Sequence, residues 1–120
     1  MSLEMTERLA SLATKITQQR ASIETEEATK NAFVMPFISL VLGYDVFNPN
    51  EVVPEFTADV GTKRGEKIDY AIVKDTEVQI LIECKHIGSP LNINHASQLF
   101  RYFAVASARI AVLTNGDEYQ

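Results

Sequence analysis

One cysteine, Cys84, is present in 120 residues. A single thiol excludes an internal disulfide and fits a reducing cytoplasm. No apolar run reaches the roughly 18 residues that a membrane-spanning helix needs, so no membrane partner is expected. The N-terminus, MSLEMTERLASLATKI, lacks the basic start and apolar stretch of a secretory signal. Positive charge is also scarce, and the formal net charge is −5. A protein that coats nucleic acid without specificity is normally basic. Any DNA affinity here would therefore draw on a local patch, a metal ion or other domains. Lys63, Arg64, Lys67, Lys85, His86 and Arg101 are the residues available for such a patch. There is no internal repeat, low-complexity stretch or linker.

What is present is a globular composition, with 46% apolar and 22% charged residues. A chain of this length makes one domain and buries roughly two thirds of its unfolded surface. Residues 4–20 place Leu9, Leu12, Ala13 and Ile16 at helical spacing and predict an amphipathic helix. A second helix is predicted from Thr25 to Leu42, with Thr25 as N-cap and Glu26 and Glu27 in the first turn, where the helix dipole favours acids. Pro36 is expected to kink it and Gly43 to stop it. Residues 52–59 read as a strand with Pro54 marking an edge or bulge. Residues 68–73 and 78–84 read as two strands joined by a short turn. A helix from Asn94 to about Ser107 follows, with Ala96, Leu99, Phe100, Phe103 and Ala104 as its apolar stripe, and then a last strand over 109–113. The order α-α-β-β-β-α-β predicts an α/β fold, a mixed sheet flanked by helices. The chain stops soon after that last strand, an ending that suggests a piece of a longer protein.

The chemistry concentrates at one hairpin. The strand Val78-Gln79-Ile80-Leu81-Ile82 reads as buried on both faces, yet it ends in Glu83-Cys84-Lys85. A turn centred near Thr76 sets Asp69 opposite Glu83, and cross-strand neighbours on one face have Cβ atoms about 5 Å apart. Strand alternation adds Lys85 to the face of Leu81 and Glu83. Burying unpaired charge is costly, so two carboxylates and an ammonium at one spot have two readings. One is an ion pair on a half-exposed hairpin. The other is a site for a hard divalent cation such as Mg²⁺, which takes oxygen ligands and keeps several waters. There the cation would lower the pKa of water and neutralise a phosphate oxygen, with Lys85 as base or stabiliser.

Ile68-Asp69-Tyr70 with Ile82-Glu83-Cys84-Lys85 resembles the motif of the PD-(D/E)XK nuclease superfamily, with Ile68 in place of the named proline. Glu27 lies at the position of that superfamily's additional helical acid, ahead of Leu42-Gly43-Tyr44-Asp45. Gln98 and Tyr102 resemble the Gln-x-x-x-Tyr motif of its RecB-like and type I restriction branches. Leu113-Thr114-Asn115-Gly116 resembles the end of the last strand in the N-terminal nuclease domains of type I restriction enzyme R subunits. The similarity spans roughly residues 24–116, so residues 1–23 are read as an N-terminal helix and 24–120 as the nuclease-like domain. Met1-Ser2-Leu3, ahead of Met5, is compatible with a cloning remnant.

The resemblance implies a restriction-endonuclease-like fold and Mg²⁺- or Mn²⁺-dependent cleavage of DNA, of type I restriction or prophage-defence type. It implies Asp69 and Glu83 as metal ligands, the Cys84 backbone carbonyl as a further ligand, Lys85 as the catalytic lysine, and Glu27 as an added acid. Gln98 and Tyr102 would contact DNA or support the site. The implied partners are DNA and other subunits or domains of a restriction complex, and a homodimer would supply the two sites needed to cut both strands. Nothing resembles a Walker motif, so any ATP dependence would lie outside these residues. The rival expectation is an inactive nuclease-fold module that binds nucleic acid or a partner protein. Among secondary residues, Glu24 competes with Glu27 as the helical acid, His86 and Lys63-Arg64 are either DNA contacts or solvated loop residues, and His95 is structural. Cys84 has no histidine–acid partner and is not expected to be a nucleophile.

Overall fold

The computed structural model describes residues 2–57, 67–92 and 96–120. Lys63 and Arg64 of the expected basic loop, Ala58 and Asp59 of the expected first strand, and Asn94 and His95 of the expected third helix lie outside them. Helix α1 spans Ser2–Gln19. Helix α2 runs over 26–41, beginning as Glu26–Thr29 and widening into π-helical turns at Lys30–Val34 and Phe37–Val41. Thr25 caps it as expected, its hydroxyl accepting from the Ala28 N–H at 2.9 Å. Pro36 sits within the helix at φ −60°, and no break occurs there. The π turns on either side absorb the N–H that proline lacks, so the expected kink becomes a change of helical pitch. Gly43, at φ +84°, ends the helix in the left-handed conformation common at helix C-termini. The Tyr44 N–H reaches back to the Ile38 carbonyl at 3.1 Å, one residue further than in a Schellman stop, as suits the π-helical last turn.

Four strands follow: β1 Val52–Phe56, β2 Ile68–Lys74, β3 Glu77–Cys84 and β4 Ile110–Thr114, with helix α3, Ser97–Ala106, between the last two. The sheet order is β1-β2-β3-β4. The first three strands form an antiparallel meander, and β4 returns through α3 to lie parallel to β3. The expected mixed α/β fold is therefore present, with β1 and its Pro54 at one edge.

The sheet is sandwiched. Val34 and Ile38 of α2 pack with Val52, Tyr70, Ile72, Ile82 and Cys84 on one face. Ala96, Leu99 and Tyr102 pack with Ala71, Leu81 and Leu113 on the other. Leu12 and Ile16 of α1 close over Phe33, Val41 and Ile87 outside α2. On α3 the stripe is rotated from expectation: Leu99 and Tyr102 are buried while Phe100 is 53% exposed. The residues on the sheet side lie at spacings of three, and Phe100 falls one position off that row. Among the described residues no helix is long and apolar enough to cross a membrane.

Candidate functional site

The β2–β3 hairpin turns at Asp75 and Thr76, both in the left-handed region at φ 53° and 65°, a primed turn that suits the twist of paired strands. The ladder slips once, at Ile72/Val73, leaving Gln79 as the extra residue. Beyond the slip, Tyr70 pairs with Ile82 and Ala71 with Leu81. The next pair in that register is Asp69 with Glu83, as the hairpin reading expected.

Strand parity breaks down at Asp69. Ile68 packs with Ala71 and Leu81 on the α3 side, while Tyr70 and Ile72 face α2. Asp69 turns toward α2, where its Oδ1 accepts from the Lys30 ammonium at 3.1 Å. Its Oδ2 accepts from the Cys84 N–H at 2.8 Å. One carboxylate thus ties α2 to the end of β3.

Glu83 meets Asp69 across the strands. Its pKa is pushed up to about 8, first by burial, then by a hydrogen bond to Asp69 and by that residue's charge; Lys85 pulls it the other way. Glu83 therefore holds its proton at neutral pH, the behaviour of a buried acid crowded by another carboxyl. Lys85 is half-buried. Its N–H donates to the Thr114 carbonyl at 2.7 Å, so β4 holds it in place. The thiol of Cys84 is raised well above its usual range by burial, with Asp69's charge adding to it, which leaves it protonated and without nucleophilic character.

Lys30, which the sequence reading missed, is the centre of the helical side of the site. Its ammonium contacts Glu27 at 2.9 Å and Asp69 at 3.1 Å, with only 11% of its side chain exposed. Burial works against its charge, but the hydrogen bonds and charges of Glu27 and Asp69 outweigh it and hold the pKa above the ordinary lysine range. Glu27 is 69% exposed and reaches Asp69 only through Lys30. The helical acid whose charge registers at Glu83 is instead Glu26. The i, i+3 spacing of Glu27 and Lys30 was a signal in the sequence for this ion pair. A cavity of about 400 Å³ opens beside them between α2 and β1, lined in part by Asn31, Met35, Glu55 and Tyr70.

Two further elements pin this arrangement. Thr29, fully buried, accepts from the Ile87 N–H at 3.0 Å and so fixes the chain just after Lys85. Gly116, at φ +88°, closes against Thr29 and Phe33, where an added Cβ would meet Thr29 Cγ2 at 3.1 Å. Gln98 donates to the Lys67 carbonyl, steadying the chain just ahead of β2. Tyr102 is fully buried and packs edge-on against Phe56 with ring centroids 6.5 Å apart, a place with no exposed surface to offer DNA. His86 lies within 3.3 Å of the Ile23 carbonyl, a contact internal to the protein.

Among the described residues no group of three or more His, Cys, Asp or Glu side chains comes together as a metal cluster. The acidic donors that converge are Asp69 and Glu83. Two carboxylates suit a hard cation that retains most of its waters, and the raised pKa of Glu83 marks a place where positive charge is favoured.

Fold and site together define a mixed α/β domain with a paired-carboxyl, lysine-flanked site at the end of its central strands. This chain belongs to the family described as the Type I restriction enzyme R protein N terminus (HSDR_N), whose model matches residues 25–120. No curated protein and no solved structure matches it.

Proposed function

We propose that this chain is the nuclease domain of a restriction-type system, with a PD-(D/E)XK site that hydrolyses DNA phosphodiester bonds in the presence of Mg²⁺ or Mn²⁺. The observation that carries the reading is the meeting of Asp69 and Glu83 at the end of otherwise apolar strands, with Lys85 beside Glu83. Family membership supports a restriction context; on this reading DNA is the substrate and other subunits of a restriction complex are the partners. A divalent cation, when bound, would acidify a water and offset charge on the phosphate. Asp69 and Glu83, with the Cys84 carbonyl, would hold it. Asp69 is oriented for that role by the Cys84 N–H. Lys85, its backbone anchored on β4, would orient and deprotonate the attacking water or stabilise charge on the phosphate. Gln98 and Tyr102 support the site from α3. Cutting both strands would call for two copies, as in a homodimer.

A second reading, an inactive nuclease-fold module that binds nucleic acid or a partner protein, is favoured by one observation: Lys30 already neutralises Asp69. Cleavage of supercoiled plasmid separates the two. The nuclease reading expects nicking or linearisation in Mg²⁺ that chelator stops, and that both Asp69→Asn and Lys85→Ala abolish. Wild-type protein that leaves plasmid intact in Mg²⁺ and in Mn²⁺, yet retards DNA or a partner subunit, would establish the module reading instead.

A further inference from the structure

The Lys30 ammonium bridges an exposed acid and a buried one. Glu27, at the protein surface, is 2.9 Å away; Asp69, with 17% of its side chain exposed, is 3.1 Å away. Both oxygens of Asp69 are engaged, Oδ1 by Lys30 and Oδ2 by the Cys84 N–H. A divalent ion binds carboxylate oxygen at about 2.1 Å, so on either oxygen of Asp69 it would lie within about 7 Å of the ammonium. Charges of +1 and +2 at that separation, in a half-buried place, repel strongly. Ammonium and cation therefore do not share Asp69 comfortably.

We propose that Lys30 is a built-in competitor for the cation site: it and a divalent metal exclude one another at Asp69, and the ammonium withdraws onto Glu27 when the metal binds. This rests on the metal-dependent reading given above and deepens it. Lys30 is a positioning residue, acting through Asp69. The geometry assigns Glu27 a matching role as the outer anchor that receives the displaced ammonium. A lysine with four rotatable carbons has the reach to change partners without movement of the backbone of α2. The arrangement keeps Asp69 compensated at all times, by ammonium or by metal, which a buried carboxylate requires.

The test measures Mn²⁺ binding by titration calorimetry, and melting temperature with and without Mn²⁺, for the wild-type chain, Lys30→Met, Lys30→Arg and Asp69→Asn. Lys30→Gln, which leaves Asp69 a neutral donor, replaces Lys30→Met if that variant does not fold. The inference expects the neutral variant to melt several degrees lower without metal, and to bind Mn²⁺ on the order of tenfold more tightly than wild type. Added Mn²⁺ should then raise its melting temperature more than that of the wild type. Lys30→Arg, keeping the charge, should bind no more tightly than wild type. A neutral variant that binds Mn²⁺ as weakly as wild type, or more weakly, overturns the inference and makes Lys30 a simple brace for Asp69. If wild type binds Mn²⁺ and Asp69→Asn does not, that failure leaves the nuclease reading standing. If Asp69→Asn binds Mn²⁺ as wild type does, or no protein binds it, the metal reading fails and the inference falls with it.

Discussion

Glu83 is a carboxyl that keeps its proton at neutral pH. Its pKa moves from the ordinary 4.5 to about 8, burial being the first cause and Asp69 the second. Between those values the folded chain holds a proton on Glu83 that the unfolded chain has lost. Stability from this group is full below about pH 4.5 and drains away as pH rises through about 8. Without added metal, the unfolding free energy should therefore fall between pH 5 and pH 8.5. After allowing for solvent screening at a half-buried carboxyl, the fall is about 1–2 kcal/mol. Urea denaturation at the two pH values checks this, and Glu83→Gln should flatten the slope. A slope unchanged in Glu83→Gln would assign the proton to another group. Lys30 shows why part of the site was hidden in the sequence. The reading of residues found the acids because they interrupt an apolar strand. It missed Lys30 because a lysine in a helix's second turn looks solvated until its face is known.

At the scale of elements, the hairpin was the most legible part. A turn centred on Thr76 sets Asp69 opposite Glu83; the actual turn at Asp75 and Thr76 would by itself set Asp69 opposite Ile82, and the extra residue Gln79 restores the register that brings Glu83 to Asp69. The reading did not foresee the slip at Gln79 or the loss of alternation between Ile68 and Tyr70, both local backbone irregularities that composition does not encode. The α3 stripe was misplaced for a related reason. Phe100 and Phe103 are the more hydrophobic candidates, but the face turned to the sheet is set by the crossover between β3 and β4, and it buries Tyr102 instead. Pro36 misled because proline usually breaks a helix, whereas here π-helical turns flank it.

Gly116 provides a test of how α2 and β4 are fastened together. It combines a left-handed φ with a tight fit: an added Cβ would meet Phe33 Cβ, on the same helix as Lys30, at 3.2 Å. Gly116→Ala should cost about 1–3 kcal/mol from strain and overpacking together. Thermal melting would show this as a drop of several degrees. A variant as stable as wild type would mean that α2 shifts freely against β4, and that Thr29 does not fix the chain after Lys85.

For the molecule as a whole, the sandwich sets the candidate site in an otherwise acidic protein. The net charge of −5 repels a polyanion at long range, so on the proposed reading any attraction to DNA has to come from the site itself or from partner subunits. The two helical layers converge on one end of the sheet. From one side α2 brings Lys30 and Glu26. From the other, α3 holds Gln98 and Tyr102 against the base of β2. Between them β3 and β4 deliver Glu83 and Lys85. The fold class and the acidic pair could be read from sequence because both follow from local patterning. The Lys30 bridge depends on how α2 docks on β2, a long-range packing outcome.

The measurement that tests this account most directly is Mn²⁺ binding followed by electron paramagnetic resonance, for wild type beside Asp69→Asn and Glu83→Gln. One ion bound per chain in the wild type, with binding lost or weakened more than tenfold in each variant, is the result expected if the two carboxyls form one cation site. No binding by the wild type, or binding that neither substitution changes, would contradict it.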